Sequence, residues 1–330
     1  MPKPPESTAP EATHRLVDVP GGRIHLVEQG AGPLVLLLHG FPETWRAWER
    51  QLPLLAAAGY RAVALDLRGY GGSSQPAEVA DCRMLAHVAD DVAVVRALGE
   101  QTAIVVGHDV GATIAANSAL LRPDVFTAVA LLGVPYAPRG GPRPTDAFAQ
   151  IGGEEQFYVG WFQQPGVAEA EIERDVRGWL AGFYAALSAD TMGAAVGAHA
   201  FIPPGGAMRD RFPAGVLPGW LTEAELDRSA QEFERTGFAG ALARYRNVDR
   251  DWEDLAAWDG APIRQPSLFV GGALDPSTTW MADAIAAFPT TLPGLVSSHL
   301  LDGCGHWLQR ERPDEVDRLL LDWLAGLPAG

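Results

Sequence analysis

Asp109 stands between Gly107 and Gly111 in "VVGHDVGATIA", residues 105–115. An apolar run enters this Gly-x-x-x-Gly frame and small residues leave it. A tight strand-to-helix elbow needs that pattern if it is to hold one side chain above the edge of a sheet. The carboxylate there has two readings: it caps the helix predicted from Val110, or it is a nucleophile. Two later residues give the second reading its partners. Asp275 lies in "GGALDPSTT", just past the apolar run "PSLFVGG", and His306 lies in "DGCGHWLQ", just past "LVSSHLL". Asp275 followed by Pro276 is also a common N-cap and N1 pair. Capping a helix does not stop a carboxylate from orienting a histidine as well. Gly303 and Gly305 let the His306 loop pass close to another backbone, which a surface histidine does not require.

These residues imply a two-stage reaction. A carboxylate displaces a leaving group at saturated carbon and becomes an alkyl ester of the protein. Water activated by His306 then attacks the Asp109 carboxyl carbon, while Asp275 holds the imidazole tautomer and stabilises the imidazolium. The tetrahedral oxyanion needs two N–H donors. Val110 supplies one, and Phe41 in "HGFPETW", directly after "PLVLLLH", supplies the other. The chain order nucleophile, acid, histidine is that of hydrolases built on such an elbow. Epoxides and alkyl halides suit a carboxylate nucleophile. An epoxide leaves an alkoxide that needs a proton donor, whereas a halide needs only hydrogen-bond donors around it. "DLRGYGGSSQP" (66–76) lacks both a third glycine in register and a Gly-Lys-Ser/Thr. It therefore reads as a loop on the site's edge, not as a nucleotide-binding turn.

The elements that must position these groups alternate along the chain. "RIHLVEQ" reads as an edge or half-buried strand. "PLVLLLH", "RAVALDL", "TAIVVGH" and "FTAVALLG" are near-continuous apolar runs, the mark of parallel strands buried on both faces. Helix-period segments separate them, so the fold class is α/β, with a mostly parallel central sheet flanked by helices. The alternation stops at "VPYAPRGGPRPTD" (134–146), and only helices are predicted from there to about residue 250. One of them opens with a capping box, Thr222 with Glu225. Strands resume at 266–272 and 295–303, with a helix around 278–288 between them and a last helix after His306. The expected division is a flexible tail over 1–14, an α/β core over 15–135 and 251–330, and an inserted helical lid over 136–250.

With 330 residues, 47% of them hydrophobic, the chain can bury a sizeable core. Its net charge of −16 argues against nucleic acid and anionic membrane as partners. No apolar run approaches the roughly 20 residues of a membrane span, and the N-terminus lacks the apolar segment of a signal peptide. Cys82 and Cys304 are too few for a disulfide framework and lack zinc-ligand spacing. They are expected to be reduced buried thiols of a cytoplasmic protein, and no metal or cofactor is expected.

With these residues in view, the sequence resembles the epoxide hydrolases of the α/β-hydrolase superfamily, from about residue 20 to 327. The resemblance is carried by "HGFPETW", "DLRGYGGSSQP", "GHDVG", "FYVGWFQQPGVAEAEIE", "TGFAGALARYRN" and "GCGHWLQRERPDEV". It implies that Tyr158 and Tyr245 reach from the lid to the epoxide oxygen, a role open to a phenol, which has a proton to give. Each is otherwise an ordinary half-buried aromatic. The resemblance also implies a small apolar epoxide and water as substrates. Lining candidates are Phe41, Trp45, Val110, Trp161, Phe162 and Trp307, for which plain core packing is an equal alternative. Many relatives carry Trp where Val110 stands, so a roomier pocket is expected. Haloalkane dehalogenases share the fold and nucleophile but bind halide with a Trp after the nucleophile and a second Trp or Asn, places held here by Val110 and Phe41. Fluoroacetate dehalogenases place arginines just after the nucleophile, and Gly111, Ala112 and Thr113 supply none. A catalytically silent binding protein on this fold would tolerate loss of the triad or tyrosines, yet all five residues are present.

Overall fold

Leu34, Leu36 and Leu38 pack into one hydrophobic core, and Val35 and Leu37, the residues between them, pack into another. Period-two geometry makes a continuous apolar run serve two opposite faces at once. The same division holds downstream, with Val105 on one side and Ile104 and Val106 on the other, then Val129 and Leu131 opposite Ala128, Ala130 and Leu132. The computed structural model describes residues 12–193 and 196–328. Its strands are β1 Thr13–Val19, β2 Gly22–Gln29, β3 Leu34–Leu38, β4 Arg61–Leu65, β5 Ala103–His108, β6 Phe126–Leu132, β7 Gln156–Phe157, β8 Phe201–Ile202, β9 Ser267–Gly272 and β10 Leu295–Leu301.

Eight strands form one sheet in the order β1-β2-β4-β3-β5-β6-β9-β10. β1 with β2 and β2 with β4 are antiparallel, and the remaining neighbours are parallel. Gly107 at the end of β5 is paired with Leu38 on one side and Leu131 on the other, so the elbow leaves from the middle of the sheet. Helices Met84–Ala97 and Val110–Leu121 cover one face through Val88, Val94, Ile114 and Ala115. Helices Gln51–Ala57 and Pro313–Ala325 cover the other through Leu52, Leu55, Leu320 and Trp323.

Between β6 and β9 the chain is mostly helical, with helices at Pro144–Gly152, Tyr158–Phe162, Val167–Ile172, Val176–Ala186, Glu223–Thr236, Ala239–Ala243 and Val248–Asp254. The capping box forms: Glu225 N–H donates to Thr222 Oγ1 at 3.2 Å and Thr222 N–H donates to Glu225 Oε2 at 2.9 Å. This layer is tied to the sheet by specific bonds. The Tyr184 hydroxyl donates to the Pro42 carbonyl at 2.8 Å, and Met84 N–H donates to Asp251 Oδ1 at 2.6 Å. The "DLRGYGGSSQP" loop takes part. At Gly69 a Cβ would lie 2.7 Å from the carbonyl carbon of Gly240, so only glycine lets the two backbones meet.

Three sequence expectations change, and a fourth resolves between its alternatives. β1 begins at Thr13, so Thr13 and His14 belong to the sheet and not to the tail, while residues 1–11 lie outside the described residues. β2, expected as an edge or half-buried strand, is half-buried and is covered by β1, which is the edge strand. The helical layer contains a two-stranded antiparallel pair, β7 with β8, too short to leave a periodic signal. The helix expected around 278–288 is two short helices, Pro276–Trp280 and Ala282–Ala286, parted at Met281. Among the described residues, no helix is long and apolar enough to cross a membrane.

Gly69 and Gly59 separate conformation from contact, since both have φ of +88 but nothing lies within 4 Å of a Cβ at Gly59. Gly59→Ala is expected to cost about 1–2 kcal/mol for the left-handed backbone alone. Gly69→Ala should cost roughly a further 1–3 kcal/mol for the forced contact with Gly240. Urea unfolding of the two variants checks this; equal losses would mean that the Gly69–Gly240 contact yields freely.

Candidate active site

Asp109 has φ 53 and ψ −121, and among the described residues it alone has a positive φ without being glycine. The backbone can hold this conformation because its neighbours are small. A Cβ on Gly107 would lie 2.0 Å from the Gly111 carbonyl oxygen, and one on Gly111 would lie 2.2 Å from the Leu38 oxygen. Backbone bonds fix the turn from both sides. Asp109 N–H donates to the Leu132 carbonyl at 3.1 Å, and the Asp109 carbonyl accepts from Ala112 N–H at 2.9 Å. The side chain makes no cap bond to its own helix. That leaves the carboxylate directed elsewhere.

Its Oδ2 accepts from Phe41 N–H at 2.8 Å. Gly40 makes this approach possible, because a Cβ there would sit 2.5 Å from the Asp109 Cβ. Val110 opens the helix, so its N–H belongs to the first-turn donors that lack an intrahelical acceptor. Asp109 Oδ1 lies 3.7 Å from His306 Nε2. On the other side of the ring, Nδ1 lies 2.9 Å from Asp275 Oδ2. Asp275 is fully buried, and its second oxygen, Oδ1, accepts from Ser277 N–H at 2.9 Å. One carboxylate therefore caps the Pro276–Trp280 helix and orients the histidine together. Burial works to lower the His306 pKa, but the charge and hydrogen bond of Asp275, with smaller contributions from Asp109 and Glu43, outweigh it and raise it to about 9.

Asp109, Asp275 and His306 follow the C-terminal ends of β5, β9 and β10, and Phe41 follows β3. Gly305 carries His306 against the helical layer, where His306 N–H donates to the Leu187 carbonyl at 2.9 Å. A Cβ on Gly305 would lie 2.4 Å from that same oxygen, whereas Gly303 has open space around it.

From the opposite side, Tyr158 and Tyr245 present rings 6.2 Å apart at 71°. Tyr245 packs on Phe41 at 5.5 Å. Burial first, and then the negative charge of Asp109, raise both phenols above their ordinary pKa, so both stay protonated at neutral pH. Neither hydroxyl has a hydrogen-bond partner among the described residues. The two tyrosine segments are clasped together. Gln163 Nε2 donates to the Val159 carbonyl at 2.9 Å and to the Tyr245 carbonyl at 2.8 Å. Arg246 donates to the Phe162 carbonyl at 2.9 Å and pairs with Glu169 at 2.8 Å.

The expected lining residues divide. Phe162 is fully buried and touches Phe41, Tyr158 and Tyr245. Trp307 lies against His306 at 5.0 Å, and its indole donates to the Tyr184 carbonyl at 3.0 Å. Val110 is buried in the same core. Trp161 stands one ring further out, against Phe162. Trp45 does not join them. Its backbone is held by Asp66, its ring packs on His14 at 5.3 Å, and Arg46 covers it. Phe183, which contacts both Phe41 and Trp307, was not among the expected residues. Nor were three groups behind the triad. His108 lies 2.9 Å from Glu43 Oε2 and donates to the His306 carbonyl at 2.8 Å. Burial works to raise Glu43, but His108 beside it holds the carboxyl below its ordinary pKa. Glu311 accepts from the N–H groups of Ala189, Gly305 and Trp307, fixing the histidine loop. Cys82 and Cys304 are buried and unpaired.

The alpha/beta hydrolase fold family matches residues 33–313. Epoxide hydrolase A of Mycobacterium tuberculosis is 43% identical, over 96% of this chain and 98% of that protein. Among solved structures, an epoxide hydrolase from an endophytic Streptomyces is 71% identical with a TM-score of 0.94, over 96% of each chain. Epoxide hydrolase A from Mycobacterium thermoresistibile is 41% identical with a TM-score of 0.91, over 97% of this chain and all of that one.

The His306 imidazole should titrate near pH 9 when followed by its ring-proton chemical shift. Replacing either carboxylate removes an anion that favours the imidazolium, so Asp275→Asn and Asp109→Asn should both lower the value, Asp275→Asn the more. An unmoved titration in Asp275→Asn would contradict the charge account.

Proposed function

The chain belongs to the epoxide hydrolases of the alpha/beta hydrolase fold and converts an epoxide and water into a vicinal diol, and we propose that it does so through a covalent ester on Asp109. The observation that carries this reading is the division of labour between the two Asp109 oxygens. Oδ2 is already in a hydrogen bond from Phe41 N–H, and Oδ1 is the oxygen facing His306. We assign Oδ1 as the attacking atom. It forms a bond to one ring carbon as that carbon's bond to the epoxide oxygen breaks. The oxygen takes its proton from Tyr158 or Tyr245 and a hydrogen bond from the other.

In the ester, Oδ2 is the carbonyl oxygen and keeps its donor. His306 Nε2 takes a proton from water as the hydroxide adds to the Asp109 carboxyl carbon. The N–H groups of Phe41 and Val110 hold the oxyanion. Collapse breaks the bond between the carboxyl carbon and Oδ1. The departing alkoxide takes the remaining proton of the added hydroxyl to become the diol, Asp109 is left as a carboxylate, and the proton on His306 returns to the tyrosinate. Ester formation also prepares the base. Alkylated Asp109 carries no charge, so one of the anions that keep His306 protonated is gone. Ester hydrolysis should accordingly rise with pH and level off below about pH 9.

We place the catalytic core in residues 13–135 and 251–330 and the lid in 136–250. The two tyrosines favour an oxygen leaving group over a halide, because a halide needs no proton. The aromatic surroundings of Phe41, Phe162 and Trp307 favour an apolar epoxide as substrate. Two unpaired buried thiols fit a cytoplasmic setting.

In His306→Gln the ester should form and persist. Intact-protein mass spectrometry should show a gain equal to the mass of the epoxide, abolished by adding Asp109→Asn. Tyr158→Phe and Tyr245→Phe should each slow ester formation by about 10- to 100-fold, with the double variant slower still. A His306→Gln enzyme that turns over at the normal rate with no mass gain would overturn the assignment of the base.

A further inference from the structure

A cavity of about 200 Å³ lies within the helical layer, with Ala186, Met192, Phe212 and Pro213 as its apolar walls. Its polar lining is Thr191, Arg211 and His199. Two of these are already engaged: the Thr191 hydroxyl donates to the Ala185 carbonyl at 2.6 Å, and Arg211 pairs with Glu155. His199 is different. Its residue is 6% exposed, its Nδ1 is closed off without a partner, and the ring as a whole, which lines the cavity, makes no hydrogen bond among the described residues. A buried polar group left unpaired is costly, and one on a cavity wall can be satisfied by what enters the cavity.

The cavity wall is one aromatic ring away from Phe41 and Trp307, which lie beside Asp109 and His306. His199 lies 6.0 Å from Phe183, and Phe183 lies 5.8 Å from Phe41 and 6.3 Å from Trp307. Burial first, and then the neighbouring His306, lower the His199 pKa to about 4, against a small opposing pull from Asp275. At neutral pH its ring is therefore an uncharged imidazole with one donor and one acceptor.

We propose that this cavity is a distal arm of the substrate site, in which His199 hydrogen-bonds an uncharged polar group, a hydroxyl or a carbonyl, that the substrate carries away from its epoxide ring. The proposal rests on the epoxide-hydrolase reading of the site. It narrows the substrate class to epoxides with an apolar body and one neutral polar end. An anionic end is not selected, because Arg211 is already neutralised by Glu155 and the chain as a whole is strongly negative.

The test is a homologous series of linear terminal epoxides, each with and without a hydroxyl at the far end. In the unaltered enzyme, the ratio of kcat/KM for the hydroxylated over the plain epoxide should peak at one chain length, at about five- to tenfold. His199→Leu should flatten that peak and His199→Gln should restore most of it. Because each ratio is taken within one preparation, a general loss of folded protein cancels. A ratio that is the same in all three proteins would overturn the proposal, as would a preference for a terminal carboxylate over the hydroxyl. Calorimetric binding of linear primary alkanols reads the cavity without turnover. Affinity should fall about fivefold or more in His199→Leu. If the enzyme opened no epoxide, the reading of the catalytic site would fail, and this binding result would still decide for or against the His199 arm.

Discussion

The backbone at Asp109 is the constraint from which the rest follows. A side-chain-bearing residue held in a sparsely populated conformation costs on the order of 1–3 kcal/mol and persists only where its surroundings over-determine it. Here the surroundings are the centre of a parallel sheet. β3 and β6 flank β5 and pin the strand that enters the turn, and Gly40, Gly107 and Gly111 keep Cβ atoms out of the turn's way. The outcome is a carboxylate that does not cap its own helix. It projects instead between a backbone donor after β3 and an imidazole after β10.

The second requirement is that groups from two layers converge on that carboxylate. The sheet supplies Asp275, His306 and Phe41 at strand ends, where open α/β sheets place their ligands. The helical layer supplies Tyr158 and Tyr245, and it is tied down where those residues need it. Gln163 and Arg246 clasp the two tyrosine segments, and Arg244, next to Tyr245, pairs with the same Asp251 that binds the start of the Met84–Ala97 helix. The histidine loop is held from both layers, by Leu187 above and by the half-buried carboxyl of Glu311 beside it. Burial pushes that carboxyl above its ordinary pKa, against three backbone N–H donors that pull it down.

The groups that converge on Asp109 were legible where they follow an apolar run whose period announces a strand. Asp109, Asp275, His306 and Phe41 need only that local reading, and the tyrosines needed the likeness of their flanking motifs to a known family. What stayed hidden depends on contacts distant in the chain. Glu311 and Gln163 act through carbonyls and amides that carry no residue signature, and Glu43 meets His108 across 65 positions. For Trp45 the alternatives of lining and plain packing stayed open, because its place in "HGFPETW" does not tell which way a short turn, Trp45–Trp48, aims its rings. The β7 and β8 pair is two residues long on each side, below the length at which alternation can be read.

The central claim is that the oxygen delivered to the diol first belongs to Asp109, and isotopic labelling measures it directly. With enzyme in excess over an epoxide in oxygen-18 water, one turnover should yield a diol without label, because water attacks the Asp109 carboxyl carbon and not the substrate. The label should then be found in the Asp109 carboxylate. A first-turnover diol that carries oxygen-18, with Asp109 unlabelled, would contradict the covalent account.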